Sequence, residues 1–309
     1  MRLIVMGSQA FGKAALEKIL EAGTDEVVAV YCAPDKEGRP ADPVKEAALA
    51  HGLPLYQPAE FKSDAVVAEL KGHAADLMVM AYVIIFVPEA ARSAPTMGSI
   101  CFHPSLLPKH RGPSSINWPI IWGATETGLT WFYPTDGLDE GDILLQWRCE
   151  IGPDDTLGDV YFKKIFPAGV DSVLEVCDLF RAGSPPRTPQ NEDKASYESW
   201  CRKKDAGIEW ARPVADVYNL IRGCNPQPGA WTTLGSGEGA REIQIYDAAR
   251  LEGDGTPGEV VSVSEDGVTV QAGGGRILVK RVRPAGAGKI QAADWAAEAG
   301  IAPGTRLGG

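Results

Sequence analysis

Two short segments carry side chains suited to acid–base chemistry. In the first, His103 follows the apolar run Ile100-Cys101-Phe102 and opens His103-Pro104-Ser105-Leu106-Leu107-Pro108. An imidazole titrates near neutral pH and passes protons either way; a histidine at a strand end is otherwise a satisfied structural group. In the second, Asp136-Gly137-Leu138-Asp139-Glu140-Gly141-Asp142 sets acids among glycines. Asp and Gly favour turns, and the spacing does not fit an EF-hand calcium loop. The remaining use is a carboxylate that orients an imidazole or activates a nucleophile. Cys101, two residues before His103, projects to the same side of an extended strand. It is either a small buried filler or, beside an imidazole, a thiolate nucleophile.

Positioning these groups takes a frame, and the first half of the chain supplies one. Short apolar runs at residues 3–6, 27–31, 77–81 and 99–102 read as strands. Residues 13–22, 43–50 and 64–71 carry apolar side chains at helical spacing. Strands separated by such helices predict βαβ units on a parallel sheet, a Rossmann-like α/β layer. His103 then lies at the carboxyl end of a parallel strand, where open α/β sheets bind ligands. Gly7 and Gly12 flank the first strand-to-helix turn, but Gly7-Ser8-Gln9-Ala10-Phe11-Gly12 is not G-x-G-x-x-G, so a tight turn without a dinucleotide is expected. Residues 183–195, polar and proline-rich, have the composition of a linker. Beyond them, residues 214–221 read as an amphipathic helix, and residues 243–246, 258–263, 267–271 and 276–282 as short strands between glycine-rich turns. A small barrel is predicted there, with residues 1–203 as the first domain and 204–309 as the second.

Bulk properties narrow the classes of function. A net charge of −11 lacks the footprint of a nucleic-acid binder, and the clusters Arg202-Lys203-Lys204 and Lys280-Arg281-Val282-Arg283 read as solvated faces or strand ends. The six cysteines include no C-x-x-C pair, which implies reduced thiols and a cytoplasmic setting without zinc. No apolar stretch approaches membrane-spanning length, so no membrane is expected as a host.

Taken together, the two segments resemble the signature of the folate-dependent formyltransferase family. The matching residues are His103-Pro104-Ser105-Leu106-Leu107-Pro108, the basic Lys109, Arg111-Gly112, and Gly137-Leu138-Asp139-Glu140-Gly141-Asp142. The likeness continues through Phe11-Gly12, Val87-Pro88, Gly98-Ser99-Ile100, Ile208-Glu209-Trp210, Ile221-Arg222-Gly223 and Pro228-Gly229-Ala230-Trp231, covering most of the chain. It implies a Rossmann-like formyltransferase domain followed by a small OB-like β-barrel. It also implies 10-formyltetrahydrofolate as co-substrate without a metal, and His103 and Asp139 as catalytic residues, with Cys101 beside them. A pterin slot would be lined by Ile85, Phe86 and Val87 and by Ser105, Leu106, Leu107 and Pro108, and closed by the loop that carries Asp136. Arg111 and Asn117 either position substrate or structure their loops.

Two branches of the family compete. Pro34-Asp35-Lys36, His103-Pro104-Ser105, Ile116-Asn117-Trp118, Pro153-Asp154-Asp155-Thr156 and Phe166-Pro167 resemble the hydrolase domain of 10-formyltetrahydrofolate dehydrogenase. The methionyl-tRNA formyltransferases carry a basic insertion after the second strand, where this chain has the short, near-neutral residues 34–43, and an asparagine where it has Cys101. Removal of the formyl group by hydrolysis, or by transfer to a small amine, is therefore expected ahead of transfer to tRNA. A folate-binding module without catalysis is a third alternative, and retention of both His103 and Asp139 counts against it.

Overall fold

Leu3, Ile4, Val5 and Met6 are all buried in strand β1 (Arg2–Gly7). A parallel strand covered on both faces reads as a continuous apolar run rather than an alternation. The computed structural model describes residues 1–235 and 237–308. Strands β2 (Glu26–Tyr31), β3 (Leu55–Tyr56), β4 (Leu77–Ala81), β5 (Ser99–His103), β6 (Glu126–Phe132) and β7 (Ile143–Glu150) join β1 in the order β3-β2-β1-β4-β5-β6-β7. The pairs from β3 through β5 are parallel, and β6 runs antiparallel to β5. Helices α1 (Gln9–Ala22), α2 (Pro43–Ala50), α3 (Asp64–Gly72) and α4 (Glu89–Arg92) make the crossovers. Asp42 caps α2 by accepting from the Val44 amide at 2.9 Å, and also accepts from the Gln9 amide at the start of α1. After α5 (Asn117–Ile121) and α6 (Leu157–Val160), a π-helical turn at Tyr161–Ile165 leads into α7 (Phe166–Arg181).

The glycines of the first turn are there for close packing. A Cβ on Gly7 would stand 2.6 Å from the Ala81 carbonyl oxygen, and one on Gly12 would stand 2.8 Å from Val44 Cγ2. This agrees with the tight-turn expectation. On the other side of α1, Phe11 stacks on Phe102 at 4.1 Å and meets Phe166 of α7 edge-on at 5.6 Å.

Two compact units are interleaved along the chain. The first is Met1–Gly112, Gly128–Cys149 and Phe162–Tyr197; the second is Pro113–Thr127, Glu150–Tyr161 and Glu198–Gly309. The second contains helix α8 (Val214–Gly223), strands β8 (Ala230–Leu234), β9 (Arg241–Leu251), β10 (Val260–Ser264), β11 (Gly267–Ala272), β12 (Gly275–Pro284) and β13 (Ile290–Gln291), and helix α9 (Ala292–Ala299). Its sheet runs β10-β11-β12-β9-β8, with β13 on β12. Residues 305–308 bridge the two outer strands. The Val260 amide donates to Thr305, Leu307 pairs with Leu234, and the Gly308 amide donates to Thr233. That closure makes the predicted barrel, filled by Val217, Ile221, Ile243, Ile245, Val268, Val270, Ile277 and Val279. Among the described residues no helix is long and apolar enough to cross a membrane.

Residues 183–195 correct an expectation. Though mostly exposed, they are tied down: Thr188 exchanges both backbone hydrogen bonds with Ile143 at the start of β7, and just beyond them the Ser196 amide donates to the Pro108 carbonyl. The Gln190 side chain binds the backbone of the loop after β6, and Glu192 binds the Arg111 side chain, so linker-like composition here marks a strap.

Candidate functional site

His103 ends β5 opposite Thr130 of β6 and is only 7% exposed. Residues 104–112 turn back beneath the imidazole, so that Nε2 lies 2.8 Å from the His110 carbonyl oxygen. Nδ1 lies 3.5 Å from Asp139 Oδ2. A carbonyl oxygen only accepts, so Nε2 donates to it and Nδ1 faces the carboxylate. Asp139 Oδ2 also accepts from the Gly112 amide at 2.8 Å, which fixes the carboxylate in place.

The loop after His103 is pinned by the next two strands. Thr130 Oγ1 donates to the Ser105 carbonyl at 2.7 Å and accepts from the Leu107 amide at 3.2 Å. Gln146 of β7 donates to the Leu107 carbonyl at 2.8 Å. Of the four residues expected to line a slot here, Ser105 and Leu107 are buried, while Leu106 and Pro108 are partly exposed. The Ser105 hydroxyl donates to the Lys109 carbonyl at 2.7 Å, so it shapes the loop.

Asp139 holds a left-handed backbone, φ +55°, which an ordinary residue adopts only when its surroundings enforce it. Gln190 Nε2 donates to the Asp139 carbonyl at 2.8 Å and to the Gly141 carbonyl at 2.7 Å. Gln190 Oε1 in turn accepts from Arg111 Nε at 3.1 Å and Nη2 at 2.8 Å. Arg111 is completely buried, and its two terminal nitrogens bind both Glu192 oxygens at 3.0 and 2.7 Å. Hydrogen bonding to that guanidinium holds the Glu192 carboxyl below its ordinary value. Arg111 is therefore a loop-structuring residue. So is Asn117, in the second unit, whose amide donates to the Gly223 and Gln227 carbonyls at 2.8 and 3.0 Å. A Cβ on Gly141 would stand 1.5 Å from the Tyr133 carbonyl oxygen, which explains a glycine beside the acids.

Cys101 lies on β5 facing Phe132, partly exposed, with Sγ 3.8 Å from the Phe102 carbonyl oxygen. Burial, and then the nearby Asp139 charge, push its thiol well above the ordinary range. A neutral thiol results, which speaks against a thiolate nucleophile. The turn after β4 begins at Tyr82, in a left-handed conformation. Val87 is buried and Ile85 partly buried against the core, while Phe86 is 65% exposed. Asp136 is exposed on the loop after β6, and its Oδ1 accepts from Arg92 Nη2 at 2.9 Å. Among the described residues, no group of three or more His, Cys, Asp and Glu side chains is placed to hold a metal ion.

Sequence reasoning missed Arg92, Thr130, Gln146 and Gln190. Only burial distinguishes Arg92 and Thr130 from surface residues of the same type, and Gln190 lies in the stretch read as a linker.

The second unit carries a basic cluster on β12 and the turn after it. Lys289 Nζ stands 3.6 Å over the Tyr246 ring, and the Arg283 guanidinium lies 5.8 Å from the same ring. Burial, together with Arg281 and Arg283, pushes the Lys289 ammonium below its ordinary value.

Comparison with known proteins agrees with the motif. The formyl transferase family model matches residues 1–169, and the model of the formyl transferase C-terminal domain matches residues 201–300. The methionyl-tRNA formyltransferase of Symbiobacterium thermophilum is 38% identical over 318 residues, covering 99% of this chain and 95% of that protein. The human cytosolic 10-formyltetrahydrofolate dehydrogenase is 40% identical over 237 residues, which cover 75% of this chain but 26% of that larger protein. Among solved structures, HypX from Aquifex aeolicus in complex with tetrahydrofolic acid superposes with a TM-score of 0.66 at 20% identity. It covers 96% of this chain and 47% of that one, and the likeness is one of fold.

Proposed function

The chain belongs to the formyl transferase family, and from that premise we propose that it removes the formyl group of 10-formyltetrahydrofolate, with water or an amine as acceptor. The observation that carries this reading is the His103–Asp139 pair, Nδ1 to Oδ2 at 3.5 Å, at the carboxyl end of a parallel strand. In the hydrolytic form, a water oxygen bonds to the formyl carbon while His103 takes the water's proton. The resulting tetrahedral intermediate collapses as the bond from carbon to N10 breaks. His103 returns its proton to N10, and formate and tetrahydrofolate leave. Asp139 stabilises the imidazolium between these two transfers.

Hydrolysis is favoured over transfer by what stands at position 101. A carboxamide there would donate to the oxyanion, and loss of one such donor typically costs about 10²–10³-fold in rate. Cys101 offers a weak S–H donor. The site is thus suited to a slow reaction with an abundant nucleophile. The test is tetrahydrofolate release, followed by absorbance, from 10-formyltetrahydrofolate without any added acceptor. Steady release that His103→Ala abolishes, with folate binding retained, is the expected result. Equal loss of binding and turnover would make His103 structural.

A second reading, transfer to initiator methionyl-tRNA, is favoured by the basic cluster of Arg281, Arg283 and Lys289, which the net charge of the whole chain conceals. A relative that matches over nearly its whole length carries that name. Filter binding to initiator tRNA at low salt separates the readings: binding at micromolar concentration or tighter supports transfer to tRNA, and its absence leaves water or a small amine as acceptor.

A further inference from the structure

Arg92 is a buried cation away from the proposed catalytic pair, 7% exposed at the end of α4. A guanidinium at that depth is tolerated only when its donors are matched. Nη1 donates to the Val87 carbonyl at 2.6 Å, and Nη2 to Asp136 Oδ1 at 2.9 Å. The Arg92 carbonyl accepts from Ser99 Oγ at 2.6 Å, which fixes the residue at the start of β5. One side chain therefore joins the turn after β4 to the loop after β6.

That loop runs back along β5. Asp136 meets Arg92 near the beginning of the strand, and Asp139 meets His103 at its end. The Gln190–Arg111 network holds the Asp139 end, and Arg92 holds the other. Each of the two segments that Arg92 joins also carries a large uncovered apolar side chain, Phe86 on one and Leu138 on the other, 65% and 53% exposed. The Asp136 carboxylate is itself 68% exposed, so the ion pair ties a surface loop to a buried anchor. A fork with two separately aimed donors suits this task better than an ammonium.

We infer that Arg92 is a positioning residue for the folate, setting the separation of the two segments between which the pterin binds. This rests on the proposed use of 10-formyltetrahydrofolate. Arg92 touches neither the formyl group nor His103, so its effect falls on binding.

The experiment compares wild type with Arg92→Met, Arg92→Lys and Asp136→Asn. It measures Kd for 5-formyltetrahydrofolate by calorimetry, kcat and KM for 10-formyltetrahydrofolate, and Tm. Loss of charge-assisted hydrogen bonds predicts Kd and KM raised about tenfold or more in Arg92→Met, with kcat within about threefold. Arg92→Lys should recover part of the affinity, and Asp136→Asn should lose about threefold, since an amide oxygen still accepts. Wild type that binds no folate would sink both the proposed function and this inference. Wild type that binds, beside an Arg92→Met of equal Kd, would overturn this inference alone, as would a fall in kcat at unchanged Kd. If Arg92→Met does not fold, the exposed Asp136→Asn decides: raised Kd at unchanged Tm supports the tether, and unchanged Kd refutes it.

Discussion

Replacing Gln190 by glutamate keeps the side chain's size and reverses the role of half of it. The oxygen that accepts from Arg111 Nε and Nη2 is retained, and its hydrogen bonds to the guanidinium become an ion pair. The nitrogen that donates to the Asp139 and Gly141 carbonyls, at 2.8 and 2.7 Å, becomes an oxygen facing two oxygens. Two hydrogen bonds of about 1 kcal/mol each are lost, and acceptor–acceptor repulsion brings the total to about 2–3 kcal/mol. Only the side-chain contacts of Asp139 with the Gly112 amide and His103 then oppose its left-handed backbone, which costs about 1 kcal/mol or more by itself. The loop should leave the geometry that pairs Asp139 with His103, lowering kcat/KM on the order of 30- to 150-fold at about 1.4 kcal/mol per decade. The assay is tetrahydrofolate release alongside a Tm by circular dichroism and amide exchange over residues 137–142. Faster exchange confined to that loop, with Tm nearly unchanged, should accompany the loss. A kcat/KM within threefold of wild type would refute the reasoning, and so would a fall in Tm large enough to account for the loss.

Other consequences follow from single contacts. Cys101→Ala should leave kcat within about threefold, because a thiol held neutral is no nucleophile; a loss of activity comparable to that of His103→Ala would restore Cys101 to the chemistry. Asp25 is buried, which opposes its charge, yet hydrogen bonds from Arg181 and the α-amino group of Met1 outweigh this and hold its carboxyl below the ordinary value. A depressed folded pKa stabilises above the unfolded value, near 3.9, and that stability disappears as pH falls through the folded value. Asp25→Asn should therefore cost about 2 kcal/mol near pH 7, discounted from a fully buried pair because Arg181 is partly exposed. In urea melts the gap to wild type should close below about pH 4; a gap independent of pH would mean that packing, not charge, is lost.

The sheet and the motif-bearing residues were legible because their signals are local. Buried parallel strands are continuous apolar runs, and His103 and Asp139 sit in short contiguous segments that resemble a known motif. Helix α7 was passed over: Pro167 and Gly169 interrupt its start, although Val173, Val176, Cys177 and Phe180 keep helical spacing. Barrel closure by residues 305–308 depends on backbone pairing between distant segments and has no composition of its own. The same holds for the loop's supports. Gln190 and Arg92 become distinctive only once folding sets buried donors against particular carbonyls, at sequence separations of 51 residues from Gln190 to Asp139 and 44 from Arg92 to Asp136.

The most direct measurement follows 10-formyltetrahydrofolate labelled with carbon-13 in the formyl group, by NMR, in the presence of the purified protein and no acceptor. The predicted result is conversion of the label to formate, abolished in His103→Ala and slowed in Gln190→Glu. A label that stays on the folate with water, initiator tRNA and small amines alike would contradict the assignment of His103 and Asp139 to formyl removal.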